Sequence, residues 1–202
     1  HCVTRRQRQM CIRDRVIGYL SAQPDCSRLP NAMLFSQALA NATAITQFRR
    51  MPFNAPLYIL YSSGTTGAPK CIVHGIGGTL IQHIKEHRLH TNVKPGDRLF
   101  YFTTCGWMMW NWLVSGLASK AHLLLYEGNP AYPGPDRLWR LADGEKISIF
   151  GTSAKYIDSI KTSGFFPAEN VNLSSLRTIL STGSPLSSDG FAFVYDAIKP
   201  DV

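Results

Sequence analysis

Directly behind an apolar run the chain reads Tyr61-Ser62-Ser63-Gly64-Thr65-Thr66-Gly67-Ala68-Pro69-Lys70. These residue types are suited to a loop that wraps phosphates. Ser62, Ser63, Thr65 and Thr66 bring hydroxyl donors, Gly64 and Gly67 let the backbone approach an anion and take positive φ, and Lys70 brings charge. A Walker A loop is excluded. Counted from Gly64, Pro69 stands where that motif needs its second glycine and Cys71 where it needs a hydroxyl for magnesium. Pro69 also lacks the N–H that such a loop aims at phosphate, so side chains must do more of the binding. An ordinary Gly/Ser/Thr turn is the bland alternative.

Such a loop needs a frame, and from Pro56 onward short β-type runs alternate with helical ones. The pattern predicts strands at Leu57–Tyr61, Arg98–Thr103, His122–Tyr126, Ile147–Phe150 and Leu176–Leu180. It predicts helices near Gly78–His90, Trp107–Ala118, Asp136–Glu145, Ala154–Ser163 and Ser188–Ile198. This is an α/β chain with an open, mostly parallel βαβ sheet and flanking helices. The segments SSGTTGAPK, TTCGW, EGNPAYP, GTSA and STGSP each follow a predicted strand, which places them on one rim of the sheet. Ligands of such sheets bind there.

The rest of the composition narrows the function classes. A hydrophobic content of 45% with 17% charged residues fits a soluble globular protein. The formal charge of +8 is uneven: Arg5, Arg6, Arg8, Arg13 and Arg15 crowd the first fifteen residues against Asp14 alone. Residues 1–15 have no apolar period and no signal-peptide pattern, and read as a disordered or foreign tail. Without a basic face continuing into the fold, a nucleic-acid arm is the weaker reading. Residues 16–55 form a poorly legible lead-in, in which Val16–Leu20 is a short strand or helix fragment. Cysteines at 2, 11, 26, 71 and 105 follow no metal or disulfide spacing, which fits a reducing, cytosolic compartment. The charge-free stretch Phe100–Ser119 is long enough for a membrane span, but its threonines, glycines and Asn111 divide it into strand, loop and buried helix.

The motif and its surroundings resemble the phosphate-binding signature of the adenylate-forming superfamily of acyl-CoA synthetases, luciferases and peptide-synthetase adenylation domains. ILYSSGTTGAPKCIVH, GGTLIQHIKEH, FTTCGWMMWNWLVSGL, LYEGNPAYP and LSSLRTILSTGSPL are together similar to its acetoacetate–CoA ligase branch, over about Pro56 to Lys199. The resemblance implies a partial AMP-binding domain over residues 56–202. It also implies a ligase in which acetoacetate attacks the α-phosphate of ATP, and the acyl-adenylate passes to coenzyme A, with Mg²⁺ on the phosphates. Thr65, Thr66, Gly67 and Lys70 would hold the β- and γ-phosphates, Lys70 and Thr66 stabilising the reaction. Ser62, Ser63 and Gly64 would complete the loop.

Further roles follow from the same resemblance. Gly183, Ser184 and Pro185 stand where the superfamily packs a Gly-Glu-Pro turn on adenine, with serine replacing the acid. Trp107 and Met108 would border the acyl pocket and leave room for a short acid, while Gly151 and Thr152 would line its far side. The partners implied are small molecules, with no nucleic acid and no membrane. The family's further magnesium, ribose and lysine-bearing segments fall beyond Val202, so the chain reads as a fragment with negligible turnover of its own. Another short-chain or amino-acid adenylating enzyme, or a nucleotide-binding module without catalysis, are the competing readings.

Several residues have plainer explanations. Trp110 and Trp112 at a helix start are expected to pack, and Ser153 and Ser187 or Ser188 to cap helices. His83, His87 and His90 share a helix face, but no Cys or carboxylate stands at ligand spacing, so the metal reading is the minor one and no metal site is assigned; His87 can as easily be a solvated residue beside Lys85 and Glu86. His74, close behind the loop, is a candidate for contact with nucleotide or coenzyme A. No Gly-x-Ser-x-Gly elbow occurs, which removes the α/β-hydrolase reading.

Overall fold

The computed structural model describes the backbone of residues 15–17 and residues 32–62, 67 and 69–202. The expectations for the tail before Arg15, for residues 18–31, and for Ser63, Gly64, Thr65, Thr66 and Ala68 lie outside the described residues. The chain divides into two compact units between Arg50 and Met51. In the first, β1 (Arg15–Ile17) pairs in parallel with β2 (Ala32–Leu34), which runs into α1 (Phe35–Ala40).

The second unit opens with β3 (Pro56–Ser62) and β4 (Lys70–Gly75), then α2 (Ile76–Lys85), which continues into a π-helical turn at Glu86–His90. There follow β5 (Arg98–Tyr101), α3 (Met108–Ser115), β6 (His122–Leu124), α4 (Arg137–Gly144), β7 (Ile149–Ser153), α5 (Ala154–Ser163), α6 (Pro167–Asn170), β8 (Thr178–Thr182) and α7 (Ser188–Phe193). Strands β5 to β8 form one parallel sheet in the order β6-β5-β7-β8. The βαβ reading therefore holds for this sheet.

It does not hold for β3. That strand pairs antiparallel with β4, Ser62 facing Lys70 and Tyr61 facing Cys71, and has no place in the parallel sheet. The sequence pattern hid this because Leu57–Tyr61 is continuously apolar, the mark of a strand buried on both faces. In the hairpin, Leu57, Ile59 and Tyr61 are exposed while Tyr58, Leu60 and Ser62 are half-buried, the alternation of a ribbon covered on one side. The phosphate-type loop is thus the connection of a hairpin, not a strand-to-helix turn of the sheet.

A large aromatic and aliphatic core covers one set of sheet residues. Trp139 of α4 stacks on Phe150 of β7 at 4.7 Å, Phe150 meets Phe100 of β5 at 5.1 Å, and all three are fully buried. A second cluster joins Leu99, Tyr101 and Ile149 to Trp112 and Leu113 of α3. At the N-terminal edge of the sheet, Ser148 Oγ donates to Asp97 (3.0 Å) and accepts from the Arg98 amide (3.0 Å), and Arg177 pairs with Asp97. These contacts fix the strand ends away from the rim. Helix α5 has the expected span, and its cap is Ser153, whose Oγ accepts from the Tyr156 amide at 3.2 Å. Ser187 caps α7 by accepting from the Gly190 amide at 3.1 Å.

Candidate functional site

The strand order positions the site. The chain leaves β5 for β6 on one side and β7 for β8 on the other, so the adjacent C-terminal ends of β5 and β7 form the switch point where open α/β sheets bind ligands. Tyr101 closes β5 there, opposite Gly151 of β7. A cavity of about 1180 Å³ opens beside this point. Its walls come from strands β3 and β4 of the hairpin, from α2, from Gly106, Met108, Met109 and Trp112 in and before α3, and from Leu180, Ser181 and Thr182 at the end of β8.

The described ends of the phosphate-type loop sit at this cavity. Ser62 lines it, and Lys70 is exposed and paired with Ser62 across the hairpin. Gly67 has φ +149°, a conformation open to glycine and unfavourable to other residues. Gly183, at φ +92°, follows Thr182 directly, and Ser184 and Pro185 continue the exposed turn. Met108 is exposed and lines the cavity; Trp107 is exposed and caps α3 with its backbone only. Of the expected site residues described, Ser62 and Met108 line the cavity; Lys70 is paired with Ser62 across the hairpin and Gly183 follows the lining residue Thr182, but Lys70, Trp107, Gly183, Ser184 and Pro185 are not part of its wall.

Gly151 and Thr152 behave differently from the sequence expectation. They belong to β7, which runs to Ser153 rather than ending at Phe150, and pair with Leu180 and Ser181. Neither lines the cavity. A Cβ on Gly151 would stand 2.0 Å from the Tyr101 ring, so the missing side chain makes room for that ring rather than for a ligand. The Tyr101 hydroxyl donates to the Thr152 carbonyl at 3.0 Å, and burial raises its pKa. Small and polar residues resembled a loop, yet here they lie in an interior strand hydrogen-bonded on both sides.

The histidines separate by environment. His87 is fully buried, not solvated: its Nε2 lies 3.0 Å from the Trp112 carbonyl and 3.1 Å from Ser115 Oγ, and its ring packs 4.1 Å from the Trp112 ring. Burial pushes its pKa down to about 4. Trp112 packs as expected and also forms cavity wall. His74, His83 and His90 line the cavity. His74 lies beside Tyr58, ring centroids 5.2 Å apart, and burial raises the Tyr58 pKa. Sequence reasoning did not single out Tyr58, Thr79, Gln82 or Tyr101; the alternation along β3 and the helical spacing of Thr79, Gln82, His83 and Glu86 were the available signals. Among the described residues no group of three or more His, Cys, Asp or Glu side chains could hold a metal ion. No helix among them is long and apolar enough to cross a membrane.

A parallel sheet with its switch point beside a glycine- and hydroxyl-rich loop is the plan of a nucleotide-binding α/β protein. The family described as AMP-binding enzyme matches residues 17–202, and the chain belongs to it. It is 63% identical over 155 residues to an acetoacetyl-coenzyme A synthetase of Rhizobium meliloti (strain 1021), covering 77% of this chain and 24% of that protein. It is 43% identical over 204 residues to the malonamoyl-CoA synthetase vrtB of Penicillium aethiopicum, covering 93% of this chain and 28% of that protein. The solved acetoacetyl-CoA synthetase from Streptomyces lividans superposes with a TM-score of 0.76 at 42% identity, over 88% of this chain and 27% of that one. The chain spans about a quarter of the length of these relatives.

Proposed function

We propose that the protein carrying this chain is an ATP-dependent acid–thiol ligase acting on acetoacetate. The observation that carries the proposal is Ser62 in the wall of the cavity beside the β5/β7 switch point, with Lys70 paired to it across the hairpin. An acetoacetate carboxylate oxygen attacks the α-phosphorus of ATP, forming the acyl-adenylate and releasing pyrophosphate. The sulfur of coenzyme A then bonds to the acyl carbon, AMP leaves with the C–O electron pair, and the thiol proton passes to solvent.

The first step brings two anions together, so preorganised donors and positive charge must offset their repulsion. Lys70 and the hydroxyls of Ser62, Ser63, Thr65 and Thr66 are assigned to the triphosphate, with Gly64 and Gly67 admitting it closely. Gly183, Ser184 and Pro185 are assigned to the adenine side through backbone and van der Waals contact, and Met108 with Trp107 to the acyl side. The described residues do not fit a protein-held magnesium site. Glu86, the carboxylate that lines the cavity, accepts from Gln82 at 3.0 Å and pairs with Lys85 at 3.0 Å. No step is therefore assigned to the ion.

The volume of about 1180 Å³ exceeds what a four-carbon acid needs, so bulky methionines and tryptophans alone do not select a short chain. Polar recognition inside the cavity must contribute. The acids named by the relatives, acetoacetic and malonamic, share a second carbonyl two carbons from the carboxyl carbon, which makes malonamate the specific alternative. Acetoacetate-dependent exchange of labelled pyrophosphate into ATP, measured on protein expressed from the full reading frame, tests the assignment. Exchange driven by acetoacetate supports it; exchange driven by acetate or an amino acid but not by acetoacetate overturns it. The 202-residue chain by itself is expected to show negligible turnover.

A further inference from the structure

We infer that His83 recognises the 3-oxo group of the acid, an assignment that rests on the ligase reading above. His83 is 9% exposed and lines the cavity from the α2 side. Among the described residues its ring makes no hydrogen bond, although its neighbours do: Gln82 donates to Glu86, and His87 is held by Trp112 and Ser115. His87 Nδ1 is sealed in the core without a partner, whereas neither ring nitrogen of His83 is sealed in that way. His83 therefore offers the cavity it lines ring nitrogens that are neither paired nor sealed.

The surroundings define what they would bind. Burial, reinforced by His74, lowers the His83 pKa and outweighs the opposing pull of Glu86, so at neutral pH the ring is uncharged, with one N–H donor and one acceptor. Met108, Met109, Trp112 and Leu180 supply apolar wall in the same cavity. A neutral donor there suits a neutral carbonyl oxygen. A second carboxylate would meet no counter-charge on His83 and would face Glu86. A polar group without a partner in such a setting also rejects a substrate that lacks the matching atom, because the analogue leaves the donor unpaired.

Acetoacetate and butanoate differ at one position, a carbonyl in place of a methylene, and so isolate the contact. The test compares the two acids in pyrophosphate exchange by the full-length protein as wild type, as His83→Leu, which keeps bulk and removes the donor, and as His83→Gln, which restores an amide donor. The expected result is a fall of about tenfold or more in the acetoacetate-to-butanoate ratio of kcat/KM for His83→Leu. Partial recovery in His83→Gln and an unchanged KM for ATP are expected with it. Equal losses for both acids, or an unchanged ratio, would overturn the assignment while leaving the ligase reading intact; a wild type inactive with acetoacetate would overturn the ligase reading itself. Should His83→Leu fail to fold, acetoacetate labelled with carbon-13 at C3 and bound to the wild type decides. A downfield carbonyl shift that His83→Gln reduces supports the hydrogen bond, and an unshifted resonance refutes it.

Discussion

Strands β5 and β7 seal Leu99, Phe100, Ile149 and Phe150 completely, whereas β3 and β4 leave their apolar Leu57, Ile59, Ile72 and Val73 about half exposed. The difference lies in the neighbours. Each interior strand of the parallel sheet has a strand on either side and helices packed over it, whereas among the described residues the main packing partner of the hairpin is α2, against β4. Apolar content alone does not build a core; a second layer does. The consequence is a proposed division of labour, with burial concentrated in the sheet and the hairpin assigned to the ligand.

Substitutions ought to expose that division, beginning with the sheet. Trp139→Ala removes a fully buried indole stacked on Phe150 and is expected to destabilise the fold by about 3–5 kcal/mol in denaturant unfolding. His87 gives a pH signature of about 3 kcal/mol at most. Its folded pKa of about 4 lies below the unfolded 6.5, so as pH falls from 6.5 the unfolded chain takes up the proton first and stability declines, levelling near pH 4. Above pH 6.5 it contributes no slope, and His87→Gln should flatten the curve of melting temperature between pH 4 and 6.5. Gly151→Ala drives a methyl into the Tyr101 ring and is expected to lower stability by about 1–3 kcal/mol. Ser153→Ala removes the cap of α5 and is expected to lose about 1 kcal/mol.

At the hairpin the expectation reverses. Val73→Thr on its exposed face should change the stability of this chain by no more than about 0.5 kcal/mol. A large loss there would show that the hairpin shares in the core and would dissolve the contrast.

The same contrast explains what could be read from the residues. Helix α5 and its Ser153 cap were legible because local chemistry decides them, and the parallel sheet because its strands are short apolar runs separated by helical periods. Strand β4 was not, since Lys70, His74 and Gly75 dilute its pattern and only pairing with β3 makes it a strand. The end of β7 was misplaced because Gly151 and Thr152 look like loop residues until Tyr101 and β8 are set beside them. His87 was misjudged for the same reason: its partner, the Trp112 carbonyl, is 25 residues away. Of the residues singled out by type and spacing, Ser62 and Met108 lie in the cavity wall. The cavity wall of Tyr58, Thr79 and His83 is a tertiary arrangement: the alternation along β3 and the helical spacing along α2 mark a shared face but not what that face encloses.

The central claim is that the Ser62–Lys70 hairpin serves the triphosphate and not the fold. Pyrophosphate exchange and thermal unfolding of Lys70→Ala, measured side by side in the full-length protein, test it most directly. The account predicts exchange reduced by about 100-fold or more with the melting temperature unchanged. Exchange within about twofold of wild type, or a loss of activity that tracks a loss of stability, would contradict it.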